Sequence, residues 1–526
     1  MNDLIHDLIF QSEQASPDAE ALVYGAQRLS YRGLAALVRA AANAFLRGGL
    51  QRGERVAVYM EKNVENVAAM FGASLAGGVF VPVNPLLKAE QVAYILADCN
   101  VRVLVTSADR LRVLPPALAQ CPDLRTVIAS GSGELAAVPN VQALSWDAAL
   151  DVPPAGAPAR AIDADMAAIL YTSGSTGKPK GVVLSHRNMM AGARSVASYL
   201  GNTPQDRLLA VLPLSFDYGL SQLTTAFSVG ACAVLINHLF PRDVLNAVIA
   251  ERITGLAAVP PLWIQLAPLD WPADCTLRYL TNSGGAMQRP TLDALRKTLP
   301  NAKPYLMYGL TEAFRSTYLP PEELDRRPDS MGKAIPNAEV MVLRADGSEC
   351  GAGEPGELVH RGALVSMGYW NDPARTAERF RPLPARHTGL PLQELAVWSG
   401  DTVRRDEEGF LYFVSRSDEM IKTSGYRVSP SEVEEVIYAQ EAVAEAAAIG
   451  VPHPSLGQAI VVVAAMREGM PMTAAELLAA CKPRLPAYML PQKIVMVEGT
   501  LPRNPNGKID RKLLGTEYAG VFQEKP

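Results

Sequence analysis

The stretch AAILYTSGSTGKPKGVVLSHRN, from Ala167 to Asn188, carries most of the information about the fold and chemistry of this chain. It predicts a strand that ends at Leu170, followed by eleven residues with three glycines, four serine or threonine hydroxyls and two lysines. Glycines let backbone N–H groups approach an anion closely, hydroxyls donate hydrogen bonds, and lysines neutralise charge. This composition predicts a loop that binds a polyphosphate.

The spacing of the glycines excludes the Walker A loop. That loop has four residues between its first glycine and its Gly-Lys pair, whereas Gly174 and Gly177 have two residues between them. A flexible surface loop without a ligand is the alternative interpretation. The coincidence of glycines, hydroxyls and lysines directly after a strand argues against it.

Around this loop, short apolar runs alternate with helical patterns. RVAVYM (55–60) and VFVPVN (79–84) read as strands, and the segment between them has helical spacing. This alternation predicts parallel sheets covered by helices. The 526 residues exceed what one hydrophobic core usually supports, so we expect at least two domains.

The loop YTSGSTGKPKGV resembles the phosphate-binding signature of the adenylate-forming superfamily, which includes acyl-CoA synthetases, adenylation domains of peptide synthetases and luciferases. Four further motifs of that superfamily follow in its order: YGLTE (308–312), SGD (399–401), RSDEMIKTSGYRV (416–428) and LPRNPNGKIDR (501–511). The passages VFVPVNPLLK, YGLTEAFRSTYL and IKTSGYRVSPSEVEE also resemble the acyl-CoA ligases associated with exosortase A systems in bacteria.

The resemblance implies an AMP-forming ligase. Such an enzyme joins a carboxylic acid to the α-phosphate of ATP, releases pyrophosphate and passes the acyl group to a thiol. The implied cofactors are ATP, Mg²⁺ and CoA, or the phosphopantetheine of a separate acyl or peptidyl carrier protein. Because the acid and ATP are both anions, such a site needs cations and a metal.

The resemblance also assigns the ATP site. Tyr308 would stack on adenine opposite the backbone of 284–286, and Asp401 would accept hydrogen bonds from both ribose hydroxyls, since a carboxylate is acceptor-only. Ser399 replaces the usual threonine of that motif and preserves a hydroxyl. The implied ATP-binding residues are Thr172, Ser173, Gly174, Ser175, Thr176, Gly177, Lys178, Lys180, Gly284, Gly285, Ala286, Tyr308, Gly309, Asp401 and Arg416.

Four catalytic residues are implied in the same way. Glu312 would hold Mg²⁺, Thr311 would contact the α-phosphate, and Arg427 would also act in catalysis. Lys508 would bridge the acyl carboxylate and the α-phosphate, then move away for thioester formation, which suits a point charge on a flexible stem. Three of the implied roles have an alternative. Glu312 would then be a solvated loop carboxylate, Tyr308 a plain core aromatic and Lys508 a solvated terminal lysine.

The family's acyl pocket maps onto ten positions: Phe216, Asp217, Tyr218, Ser221, Ala258, Thr281, Ser283, Met307, Arg315 and Ser316. In amino-acid-activating relatives an aspartate at the position of Asp217 holds the α-amino group, and Arg315 could hold a second carboxylate. A plain fatty acid would leave both charges without a partner in a partly buried site. We therefore hypothesise a polar acid, amino or dicarboxylic; a structural Asp217–Arg315 ion pair is the alternative.

The thiol acceptor is left open by the sequence. LPRNPNGKIDR resembles peptide-synthetase adenylation domains, which load a carrier protein, whereas IKTSGYRVSPSEVEE resembles CoA ligases. Gly425 matches the position where the family's pantetheine arm passes. Luciferase-like oxidation of the adenylate and a non-catalytic nucleotide-binding scaffold are the remaining alternatives. The acid stays open among fatty, aryl, dicarboxylic and amino acids.

The fold class expected is α/β, with a large N-terminal domain of several subdomains over 1–415 and a small mobile α+β domain over 421–526. The large domain would contain parallel sheets with helices and a small β subdomain. The resemblance implies a hinge over 416–420 at Asp418. SPSEVEEVIYAQ predicts a helix with Ser429 as N-cap, Pro430 at its first position and a capping box to Glu432.

Two further segments are predicted to connect elements rather than to bind a ligand. The segment 144–167 reads as a Pro/Ala-rich surface connector. GAGEPG (351–356) fits a dinucleotide fingerprint, but Pro355 interrupts it and a strand follows, so we predict a turn between strands.

Composition narrows the function classes. With 49 basic against 54 acidic residues, the net charge of −5 argues against a nucleic-acid binder. The six cysteines show no metal-binding spacing, and MNDLIHDLIFQSEQ lacks the basic region of a signal peptide. No apolar run reaches the roughly 18 residues of a membrane span, so we expect a cytoplasmic enzyme.

Overall fold

The computed structural model describes residues 3–153, 155–156, 160–172, 178–383, 393–416, 420–503 and 509–523. The α-helices α1 to α16 of this part are Asp7–Ala15, Tyr31–Arg47, Val64–Leu75, Ala89–Asp98, Ala108–Leu111, Pro115–Leu118, Trp146–Leu150, His186–Leu200, Asp217–Val229, Pro241–Ala250, Pro260–Leu266, Arg289–Thr298, Pro373–Arg379, Pro430–Tyr438, Ala474–Cys481 and Arg511–Glu517. Short 3₁₀ helices span Thr311–Ala313, Pro321–Glu323 and Ala487–Met489.

The strands β1 to β26 of the same part follow in chain order. They are Glu20–Tyr24, Gln27–Ser30, Arg55–Tyr59, Val79–Pro82, Val101–Ser107, Thr126–Ser130, Gln142–Ser145, Met166–Thr172, Lys180–Ser185, Arg207–Ala210, Cys232–Leu235, Gly255–Ala258, Tyr279–Asn282, Lys303–Tyr308, Thr317–Leu319, Lys333–Ala334, Ala338–Leu343, Pro355–Gly362, Phe380–Pro382, Leu395–Arg405, Leu411–Arg416, Ile421–Thr423, Tyr426–Val428, Val443–His453, Gly457–Met466 and Lys493–Val497.

Two large sheets carry the predicted β–α–β rhythm. One has the order β7-β6-β5-β3-β4-β8-β9, parallel except for the antiparallel pair β8–β9. The other has the order β16-β15-β14-β13-β12-β10-β11-β1-β2, with a parallel centre and antiparallel strands at both edges. The largest core cluster joins both sheets to helices α2, α3, α8 and α9. The prediction of parallel sheets covered by helices is confirmed.

Two smaller sheets complete the described part. Strands β17-β18-β20-β19 with β21 form an antiparallel sheet, which matches the predicted small β subdomain. Strands β23-β22-β25-β24 with β26 form the sheet of the C-terminal segment. Two core clusters, over 421–489 and 447–514, consist of buried residues of that segment alone, as a separate folding unit requires.

The start of α14 corrects one local prediction. The helix begins at Pro430 with Ser429 as N-cap, as expected, but the Ser429 side chain makes no capping hydrogen bond. Its hydroxyl is buried without a partner among the described atoms, and the Glu432 side chain points to Gln91 instead, with Nε2 3.4 Å from Oε1. The capping-box prediction was wrong because tertiary packing against α4 takes the carboxylate away from the helix end.

Three other local predictions have different outcomes. The segment 144–167 is not a plain connector, since it contains the end of β7 and the helix α7, whose Trp146 and Ala149 are buried. The loop 351–356 is a turn between β17 and β18, as predicted. Strand β8 continues to Thr172, past Leu170, because β9 pairs with it as far as Lys180.

No described helix has the length and apolar character needed to cross a membrane.

Candidate active site

A cavity of about 660 Å³ lies at the carboxyl ends of three neighbouring parallel strands, β12, β13 and β14. Open α/β sheets commonly bind ligands at this edge. The C-terminal segment covers the cavity with the hairpin β22–β23 and with Tyr488 and Met489. The predicted ATP-site and catalytic residues that line it are Thr172, Gly284, Gly285, Ala286, Tyr308, Gly309, Thr311 and Arg427.

Beside this cavity, Glu312 sits in a buried charge cluster and is 4% exposed. Lys180 Nζ donates to Glu312 Oε1 at 3.0 Å and to the Tyr369 hydroxyl at 2.8 Å, and that hydroxyl donates to the same Oε1 at 2.6 Å. Burial alone raises the pKa of Glu312, but the charges of Lys180 and Arg427 outweigh it and hold that pKa below its ordinary value. Glu312 is therefore ionised at neutral pH and is not a solvated loop carboxylate.

A second cluster holds the predicted ribose and adenine residues together. The Tyr308 hydroxyl donates to Asp401 Oδ2, and Asp401 is buried. The Ser399 hydroxyl accepts from the Asp401 backbone N–H at 3.0 Å and donates to the Leu358 carbonyl at 2.7 Å. The hydroxyl that Ser399 preserves thus fixes the backbone of Asp401. The backbone of Arg416 lies opposite Asp401 in the pair β20–β21.

The phosphate loop is described only at its two ends. The Thr172 hydroxyl is buried on the cavity wall and has no hydrogen-bond partner in the described part of the chain. The ammonium of the exposed Lys178 lies 5.9 Å from the centre of the Tyr94 ring. The predictions for Ser173, Gly174, Ser175, Thr176, Gly177, Asp418 and Lys508, and for the Arg416 side chain, fall outside the described residues and side chains.

Six of the ten predicted acyl-pocket residues line the cavity: Phe216, Asp217, Tyr218, Ser283, Met307 and Arg315. Ser221, Ala258, Thr281 and Ser316 are buried but are not among the residues that line it. The hydroxyl of Tyr218 lies 2.6 Å from Thr281 Oγ1. The assignment of these ten positions to an acyl pocket stays a prediction.

The charged pair of the acyl pocket is not an ion pair. Arg315 is 1% exposed, and among the described groups its Nε and Nη2 have no hydrogen-bond partner, while Nη1 lies 3.5 Å from Ser283 Oγ. Its guanidinium lies 4.7 Å from the centre of the Tyr218 ring. Burial raises the pKa of Asp217, an effect that the charge of Arg315 only opposes from a distance.

A second cavity, also of about 660 Å³, leads outward from the first between the N-terminal and C-terminal segments. Both cavities are lined by Gly284, Gly285, Lys422 and Gly425, so Gly425 stands where they meet. Gly425 has φ +82°, and a Cβ there would lie 2.8 Å from Val259 Cγ2. That this glycine borders a passage for a long arm stays a prediction.

Two residues of the site were not assigned to it from the sequence. Tyr369, which completes the Glu312 cluster, lies outside every motif, and only the pairing of its neighbourhood with β9 brings it there. Glu432 lines the cavity, although its spacing from Ser429 pointed to a helix cap. Burial raises its pKa to about 7.

Comparison with known proteins agrees with this geometry. A family model described as AMP-binding enzyme matches residues 9–370, and one described as AMP-binding enzyme C-terminal domain matches residues 432–508. The chain is 28% identical to tyrocidine synthase 1 of Brevibacillus parabrevis over 97% of this chain, but it spans only 44% of the length of that relative.

Two relatives match over nearly their full length. The chain is 31% identical to an L-proline–[L-prolyl-carrier protein] ligase of Pseudomonas fluorescens, covering 98% of this chain and 100% of that one. It is 30% identical to a long-chain-fatty-acid–CoA ligase of Mycobacterium tuberculosis, covering 98% of each. Among solved structures, an o-succinylbenzoate CoA synthetase of Bacillus subtilis bound to a product analogue matches with TM-score 0.84 and 27% identity, covering 97% of this chain and 98% of that one.

Proposed function

The chain belongs to the AMP-binding enzyme family, and on this premise we propose that it is an AMP-forming ligase that activates a carboxylic acid with ATP and transfers it to a thiol. In the first half-reaction a carboxylate oxygen attacks the α-phosphorus, the bond to the β-phosphate oxygen breaks, and pyrophosphate leaves. In the second, the thiol loses its proton, its sulfur attacks the acyl carbon, and AMP leaves.

The observation that carries this proposal is the buried cluster of Glu312, Lys180 and Tyr369 beside a cavity at the carboxyl ends of the strands. A lysine and an ionised carboxylate fixed by a hydroxyl form a preorganised electrostatic site, which is worth more in a dry pocket than in water. A non-catalytic scaffold would have no need to bury these charges.

Glu312 is the residue we propose to hold Mg²⁺. Mg²⁺ is usually bound by one or two carboxylates together with substrate phosphates. Within the described ranges no group of three or more His, Cys, Asp or Glu side chains is placed to hold a metal, and a single ionised carboxylate suits an ion shared with ATP. When bound, the ion neutralises phosphate charge.

The remaining roles follow from the cavity walls. Tyr308 and Asp401 would bind adenine and ribose, and Thr311 would contact the α-phosphate, which its place on the wall supports. The charge of Arg427 acts on Glu312 and Lys180 from the C-terminal segment, which supports a role in charge neutralisation. Lys508 would bridge the acid and the α-phosphate.

We propose CoA as the thiol acceptor. The outer cavity is lined by Lys422, Arg511 and Lys512, and such cations suit the phosphates of CoA. The alternative acceptor is the phosphopantetheine of a separate carrier protein, which the full-length similarity to a prolyl-carrier ligase favours. In both cases the arm would pass Gly425. The narrower resemblance to exosortase A-associated ligases stays a prediction.

Acid-dependent ATP–pyrophosphate exchange tests the proposal. The acids offered should include fatty, aryl, dicarboxylic and amino acids, followed by CoA and holo carrier proteins as acceptors for the best acid. We expect at least one acid to support exchange and to yield AMP and a thioester. Exchange with none of them, or ATP cleavage to ADP, would contradict an AMP-forming ligase.

A further inference from the structure

The most unusual group in the cavity is the guanidinium of Arg315. It is 1% exposed, and no hydrogen-bond partner lies near its Nε or Nη2 in the described part of the chain. Burying an unpaired charge is costly, and buried charges in proteins are almost always paired. Because Arg315 lines the central cavity, the missing partner belongs in that cavity.

The backbone before Arg315 is strained in a way that places this side chain. Phe314 has φ +55° and ψ −52°, and the Arg315 N–H donates to the Ala313 carbonyl at 2.6 Å. This is a γ-turn with positive φ, a rare and strained conformation for a residue with a side chain. The fully buried ring of Phe314 holds the turn in place, because it packs so closely on Gly192 of α8 that a Cβ there would overlap the ring.

The pocket wall carries a carboxyl group whose pKa the charge of Arg315 lowers, but the two groups form no ion pair. Asp217, at the first position of α9, makes no ion pair with Arg315 across the described cavity. The contacts of Arg315 are the face of Tyr218 and a long approach to Ser283. Neither contact satisfies the buried Nε and Nη2, and this edge of the guanidinium is the fork that binds a carboxylate with two parallel hydrogen bonds.

We propose that Arg315 binds a second carboxylate of the substrate, so that the acid activated here carries an anionic group besides the reacting one. This inference rests on the proposed function and specifies its substrate class. The guanidinium of Arg315 packs on the ring of Tyr218, an acyl-pocket residue, whereas Tyr308 binds Asp401.

The test compares matched acids in ATP–pyrophosphate exchange with the unmodified protein. Each set contains an acid with a terminal carboxylate, its terminal amide and its methyl analogue, as in adipate, adipamate and hexanoate, and in glutamate, glutamine and norvaline. We expect the best acid to carry two carboxylates and to exceed its amide by roughly tenfold to a hundredfold in kcat/KM, the range for a hydrogen bond to a charged group. A best acid with a single carboxylate overturns the inference, whereas no exchange with any acid overturns the proposed function itself.

The variant Arg315→Met distinguishes a second carboxylate from the reacting one. If Arg315 binds the distal group, the variant loses the dicarboxylic acids and keeps or gains exchange with the methyl analogues. If Arg315 instead held the reacting carboxylate or the α-phosphate, all acids would lose equally, and the inference would fail.

Thermal unfolding without substrate gives a second readout. Arg327 is the matched control, because it is also largely buried but donates to Glu323, Asp406 and Glu408. We expect Arg327→Met to lower the Tm, since it removes a buried guanidinium that binds three carboxylates at once, and Arg315→Met to keep or raise it, since it removes an unpaired charge. A Tm loss for Arg315→Met as large as that of the control would mark Arg315 as structural and overturn the inference.

Discussion

At the residue scale, the phenol of Tyr369 links the two charged groups of the Glu312 cluster. It donates to Glu312 at 2.6 Å and accepts from Lys180 at 2.8 Å, so it fixes both charges in place. A hydrogen bond to a charged group contributes about 1.5–3 kcal/mol. The position of the cluster, beside Thr311 and within reach of the charge of Arg427, ties this hydroxyl to the first half-reaction.

We therefore expect Tyr369→Phe to slow adenylation by roughly tenfold to a hundredfold, measured as ATP–pyrophosphate exchange. Thioester formation from supplied acyl-adenylate should keep most of its rate, because it does not use the pyrophosphate end of the site. Tyr59→Phe is the control, since the Tyr59 hydroxyl donates to the Leu87 carbonyl, away from the cluster. Unchanged exchange in Tyr369→Phe would remove this hydroxyl from the catalytic site.

Sequence reasoning reached Glu312, Lys180, Tyr308 and Asp401 through motifs, and the structure brings them into two hydrogen-bonded clusters. It did not reach Tyr369, because no local pattern marks a tyrosine whose partners are 57 and 189 residues away. It also placed Glu432 in a capping box, because the motif signals a helix start correctly while tertiary packing decides where the carboxylate points.

At the element scale, the hairpin of β22 and β23 presses Gly425 against Val259, where the two cavities meet. Its neighbour Tyr426 stacks on Tyr488 at 3.8 Å and meets the edge of Phe216 at 4.9 Å. This aromatic packing fixes the hairpin over the acyl pocket, so the gap at Gly425 has little room to widen.

We expect Gly425→Ala to abolish most thioester formation while leaving adenylation nearly intact, because its Cβ would lie 2.8 Å from Val259 Cγ2. The two half-reactions are measured separately, as pyrophosphate exchange and as acyl transfer from isolated adenylate. Gly469→Ala is the control for backbone strain, since Gly469 has φ +78° with nothing within 4 Å of its Cβ position. Equal losses in Gly425→Ala and Gly469→Ala would mean that strain, not obstruction, explains the effect.

Elements with strong periodicity, such as β3, α3 and β4, lie where the sequence placed them, because burial on one face or both determines their pattern. The segment 144–167 was misjudged, since α7 spans only Trp146–Leu150 and five residues carry almost no periodic signal. The contact between the hydroxyls of Tyr218 and Thr281 could not be read from the sequence, because the two residues lie 63 positions apart.

At the scale of the whole molecule, the buried carboxyl group of Glu432 forms part of the contact between the C-terminal segment and the N-terminal part. Glu432 of α14 approaches Gln91 of α4 at 3.4 Å, and its Oε2 has no partner among described atoms. Burial raises the pKa of Glu432 from 4.5 to about 7, and the charge of Glu435 makes a smaller contribution in the same direction. The buried Tyr488 hydroxyl also interacts with this carboxyl group but carries no positive charge.

This raised pKa predicts a pH-dependent contact between the two segments. Separation would return Glu432 to its ordinary pKa of 4.5, so its contribution to the contact is fully present below that pH and is lost as pH rises through about 7. We expect the fraction of molecules in which the two segments are docked to decrease as the pH rises from 4.5 to about 7. Energy transfer between labels on the two segments measures this fraction. Glu432→Gln should flatten the profile, and an identical profile in that variant would exclude this carboxyl as the titrating group.

Substitution of Lys508 tests the proposed movement of the C-terminal segment between the two half-reactions. Its removal takes away a charge needed where the acid meets the α-phosphate, so we expect Lys508→Ala to lose about two decades or more of adenylation rate. Thioester formation from supplied adenylate should survive. Lys482→Ala, at an exposed position of the same segment, serves as a control for general charge loss. Equal losses in both half-reactions of Lys508→Ala would contradict a role confined to the first.

The central claim, that the acid attacks the α-phosphorus of ATP, is tested most directly by an isotope label. The protein is incubated with ATP, the best acid labelled with ¹⁸O in its carboxyl group, and the thiol acceptor, and the phosphate products are analysed by mass. An acyl-adenylate must transfer one carboxyl oxygen to the departing nucleotide, so we expect ¹⁸O in the phosphate of AMP. Label found in inorganic phosphate, or in no nucleotide product during thioester formation, would contradict the account.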